Sequence, residues 1–105
     1  SLDSFCEMIA RTSDIMNIKN IGIGSDLCLN QPDEIVEWMR NGTWSKNKNY
    51  GEGSKNKPGF PKQPGWFEDA RGFFNIEKGL RKVGFSEEET NGILGNNWYN
   101  FYKNI

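Results

Sequence analysis

A chain of 105 residues, with 35% hydrophobic and 13% aromatic side chains, suits one domain and shows no internal repeat. Its net charge of −1 argues against a nucleic-acid binder that works by bulk electrostatics, and no apolar run approaches the roughly 20 residues that span a bilayer. There is no histidine, which removes imidazole acid–base chemistry, Ser-His and Cys-His nucleophile pairs, and the commonest metal ligand.

The first ten residues, SLDSFCEMIA, have neither a basic n-region nor an apolar h-region, so no secretory signal is expected within this chain, which favours the cytoplasm slightly and leaves the compartment open. They also lack an initiator Met, so further residues are expected upstream. Leu2, Phe5, Cys6, Ile9, Ser13 and Met16 recur at i, i+3, i+4, i+7 spacing, which predicts an amphipathic helix. Residues 18–25 then read as a short strand. Ile21 and Ile23 supply its apolar content, and Gly22 and Gly24 allow close approach of neighbouring backbone. The run ends in a bare Ser25-Asp26 pair. Asp is a common turn residue, but helix, apolar strand, Ser-Asp and more helices in that order are half of a repeating β/α pattern. In parallel α/β sheets the carboxyl ends of strands face the site. Asp26 is therefore the candidate site residue. Cys6 and Cys28 match no zinc-site or redox spacing and read as small buried hydrophobes.

Pro32, Asp33 and Glu34 predict a short helix with Ile35, Val36 and Met39 on its apolar side and Gly42 as C-cap. A Lys/Gly/Pro-rich loop is expected over residues 43–65. In it Lys46, Lys48, Lys55, Lys57 and Lys62 alternate with Trp44, Tyr50 and Phe60. Loops this long are usually functional or disordered; the plainer reading is a solvated loop whose aromatics pin it to the body, and the sharper one is that lysines interleaved with aromatics contact an anionic ligand or single-stranded nucleic acid. Asn41-Gly42-Thr43 is a glycosylation sequon with no sign of secretion beside it. The half-motif Gly22-x-Gly24 lacks the third glycine and the long helix of a dinucleotide site.

From Trp66 the pattern turns helical, with Phe73, Phe74, Ile76, Leu80 and Val83 on one face and Gly84 at the end. The acid pair Glu68-Asp69 fits helix-start charges. Ser86 and Glu89 then form a capping box, with Phe85 as its staple, on a helix that runs to Leu94 and stops at Gly95. Asn96 or Asn97 caps a last helix. Its stripe of Trp98, Phe101, Tyr102 and Ile105 reads as core.

Two of these pieces carry a resemblance. Residues 21–26, IGIGSD, and the later run of Gly84, Phe85, Ser86-Glu87-Glu88 and ILGNNW at 93–98 are similar to the C-terminal end of the membrane (renal) dipeptidase family of zinc peptidases. The match covers most of the chain. The resemblance implies an α/β, mostly helical segment: the last strand and surrounding helices of a metallo-dependent hydrolase TIM (β/α)8 barrel, not a complete barrel, since such barrels need about 250 residues. It implies two zinc ions in the complete enzyme, activating a bridging water to attack a dipeptide's amide carbon. The family's metal ligands, a His-x-Asp pair, a bridging Glu and two later His, come from earlier strands, so no zinc is expected on this chain. What carries over is Asp26, matching the family's last-strand Asp in substrate handling and proton transfer. The chain departs from the family where Asp26 is followed by Leu27-Cys28-Leu29 rather than Phe-Asp-Gly, and in its Lys-rich connection.

The expected function is thus a C-terminal fragment, or truncated relative, of a zinc dipeptidase, inactive as this chain and with a dipeptide as substrate of the complete enzyme. The alternative is a small helical binding domain that engages an anionic partner through the lysine loop. A lone strand leaves unpaired edges. If the chain folds alone, helices should cover that strand or two copies should pair through it.

Overall fold

The structure, a computed structural model, describes residues 1–35 and 62–105. The chain divides into two compact units, one made of Ser1–Leu27 and Pro64–Ile105, the other of Cys28–Gln63.

In the first unit, helix α1 (Leu2–Ser13) starts on Ser1, whose hydroxyl accepts the Ser4 N–H at 3.2 Å. It ends before Met16, which the sequence pattern placed on its face and which is exposed. A 3₁₀ turn (Ala70–Gly72), capped by the Asp69 carboxylate, leads into α2 (Phe73–Val83). That helix stops at Gly84, whose φ of 113° is left-handed and suits glycine. Helices α1 and α2 pack together, Cys6 and Ile9 of the first meeting Ile76 and Leu80 of the second in a core completed by Ile21, Phe67 and Ile93. The contact is close because Gly79 has no side chain: a Cβ there would lie 2.6 Å from Cys6 Sγ and 3.2 Å from Leu2. Phe74, expected on this face, is exposed instead.

The predicted capping box is present. Ser86 Oγ accepts the Glu89 N–H at 3.1 Å, and the Glu89 carboxylate accepts the Ser86 N–H at 2.8 Å, opening α3 (Glu87–Asn91). The helix then widens into a π-helical stretch (Gly92–Asn96), broken where Gly95 is extended, before α4 (Asn97–Lys103).

The expected barrel-strand architecture is not found. Among the described residues the fold is mostly helical and contains no β-strand. The Asn17 side chain accepts the Lys19 N–H at 3.0 Å and starts a 3₁₀ turn (Ile18–Asn20), which consumes the first three residues of the predicted strand. Ile21 is extended (φ −101°, ψ 129°), but a strand requires a neighbour to share its ladder, and no described segment hydrogen-bonds to residues 21–25 backbone to backbone from elsewhere in the chain. The apolar side chains are nonetheless covered: Ile21 is buried and Ile23 half-buried against the core.

In the second unit, residues 33–35 are helical after Pro32, whose carbonyl accepts the Ile35 N–H at 3.0 Å. The rest of that predicted helix, the sequon at Asn41 and the lysine loop up to residue 61 lie outside the described residues. Cys28, expected to be buried, is exposed.

Candidate functional site

Asp26 lies in irregular backbone beyond the extended Ile21. Ser25 Oγ accepts the Leu27 N–H at 3.3 Å, and Asp26 itself takes a positive φ of 45°. Aspartate tolerates this region because its short polar side chain bonds locally, but a non-glycine residue there is uncommon and concentrates at functional positions. Its carboxylate is exposed. Leu27, one residue on, is half-buried against the core.

The backbone that leads to Asp26, residues 18–23, is held by two side chains that sequence pattern did not single out for this purpose. Asn97 Nδ2 donates to the carbonyls of Ile18 at 2.9 Å and Ile21 at 2.8 Å. Trp98 Nε1 donates to the Ile23 carbonyl at 3.3 Å. Gly22 admits the indole, since a Cβ there would lie 2.8 Å from Trp98 Cε2. Asn97 was expected, as one of two candidates with Asn96, to cap the last helix. The one local signal for this meeting was Gly22, whose missing side chain leaves room for Trp98.

Beyond this junction the last helix presents an aromatic face. Trp98, Phe101, Tyr102 and Ile105, expected as core, are 43%, 60%, 65% and 86% exposed. Periodicity showed that these residues share a side; it did not show what that side meets. Trp98 and Tyr102 stack on each other at 5.9 Å. An open cleft of about 570 Å³ runs between this helix and the 3₁₀ turn, with Lys19, Ile21, Trp98 and Phe101 in its walls.

The donor set for zinc does not fit this chain. It has no histidine, and among the described residues no three His, Cys, Asp or Glu side chains gather to hold a metal. Cys6 lies fully buried on α1, where burial first and the nearby Asp3 second push its thiol pKa up. Of the lysine loop only Lys62 is described among its five lysines, and it is exposed. No described helix is long and apolar enough to cross a membrane. Comparisons with protein-family models, curated proteins and solved structures each find no match to the chain.

Proposed function

We propose that this chain is the C-terminal part, or a truncated relative, of a zinc dipeptidase, and that by itself it hydrolyses no dipeptide. The observation that supports the reading most is the meeting of its two resemblance motifs. The IGIGSD segment and the ILGNNW segment stand some seventy residues apart, yet Asn97 and Trp98 of one bond three carbonyls in or beside the other. A resemblance made of two motifs gains weight when both serve one structural unit. In this reading Asp26 is the residue that handles substrate and moves a proton, and the metal ligands belong to polypeptide outside these 105 residues. Because the chain's own donors do not fit zinc, no step through the metal is assigned to it.

The reading is tested by the coding DNA upstream of Ser1. An in-frame extension carrying His-x-Asp and two later histidines is expected. A start codon immediately before Ser1 would rule out the C-terminal part and leave only a truncated relative. Incubation of this chain with zinc and a dipeptide panel should give no hydrolysis above buffer.

A further inference from the structure

We infer that Asn97 is a positioning residue for Asp26. Among the described residues only Asn97 and Trp98 send side-chain hydrogen bonds from elsewhere in the chain to the 18–24 backbone. Asn97 does so with both protons of its amide, the full donor capacity of that side chain. Its bonds are short and half-buried, whereas the indole bond of Trp98 is longer and exposed. The amide is itself held from behind: it lies against Gly92, where a Cβ would come within 2.9 Å of Asn97 Oδ1. Gly92 is followed by Ile93, which is fully buried. The chain of restraint therefore runs from the core through Ile93 and Gly92 to Asn97, then to the carbonyls of Ile18 and Ile21. From there Trp98 on Ile23 and Leu27 on the core bracket the positive-φ backbone at Asp26. The break at Gly95 and the π-helical stretch before it allow α4 to begin with Asn97 facing this backbone.

The role given to Asp26 rests on the dipeptidase reading; the tether does not. Asn97→Asp keeps the side chain's shape, removes both donors, and sets a carboxylate against two carbonyl oxygens. In ¹⁵N relaxation of the 105-residue chain, this variant should drop the backbone order parameters of residues 21–26 from about 0.85 to below about 0.6. Exchange of the Ile21 amide should quicken at least tenfold and the Trp98 indole cross-peak should move, with Cys6, Ile76 and Leu80 unchanged. Order retained at 21–26 would overturn the inference, and so would equal loosening of α1 and α2, which would make Asn97 a general structural group. If Asn97→Asp does not fold, Gly92→Ala decides: selective loosening of 21–26 supports the tether, and an unchanged segment overturns it. Activity is not part of this readout, so an inactive complete enzyme would sink the dipeptidase reading and leave the tether standing.

Discussion

Gly79, Thr90 and the two cysteines show how far single atoms decide this fold. A methyl at Gly79 would press on Cys6 and Leu2. Overpacking of that kind costs about 1–3 kcal/mol and outweighs the roughly 1 kcal/mol by which alanine is the better helix former. Gly79→Ala should therefore lower the urea midpoint without changing the m-value. Thr90 is fully buried and its hydroxyl finds no partner among the described residues. An unsatisfied buried hydroxyl costs about 1–3 kcal/mol, so Thr90→Val should raise stability by about 1 kcal/mol in the same titration. The thiols should separate by rate. With a disulfide reagent at neutral pH Cys28 should react at once, and Cys6 only as the chain opens, because the first is exposed and the second is fully buried with a raised pKa. Equal rates would contradict the packing of α1 on α2.

At the scale of elements, legibility followed the range of the interactions involved. The capping box at Ser86 and Glu89, the stop at Gly84 and the α1 stripe were readable because each is settled within one turn of backbone. The 3₁₀ turn at Ile18–Asn20 was not, because two isoleucines at alternate positions look like a strand whether or not a ladder partner exists. The aromatic stripe of α4 failed for a related reason: period gives a shared side, and only tertiary contacts give its partner. Asp26 was read as the end of a strand that the described residues do not contain, and the role of Asn97 was not legible, since a helix-cap reading accounts for an asparagine locally and its true acceptors lie more than seventy residues away. One local pair carries a pH signature. The Arg71 side chain, then its backbone N–H, holds the Asp69 carboxyl down at about 2. A carboxyl depressed on folding lends its stability above its unfolded value, about 3.9, and withdraws it as pH falls toward 2. Arg71→Ala should raise the Asp69 midpoint in an NMR titration toward the ordinary range, leaving only the effect of the backbone donor.

For the whole molecule, the absence of a strand among the described residues and the presence of a joined pair of motifs bear on different things. The first concerns the architecture, which is helical and not the barrel-strand segment that the sequence suggested. The second concerns the backbone leading to Ser25-Asp26, whose Ile18, Ile21 and Ile23 carbonyls are held by side-chain donors and not by a ladder. In the proposed function Asp26 does chemistry on a dipeptide in a protein that supplies the metal ligands elsewhere. Its most direct test is kcat for a dipeptide panel, measured on the zinc-loaded product of the complete reading frame and on its Asp26→Asn variant. Asparagine is chosen because it also accepts a positive φ. The account predicts zinc-dependent hydrolysis that falls by about 100-fold or more in the variant, the scale of a lost general acid–base group, at unchanged zinc content. No hydrolysis by the unsubstituted protein, or full kcat in the variant, would contradict it.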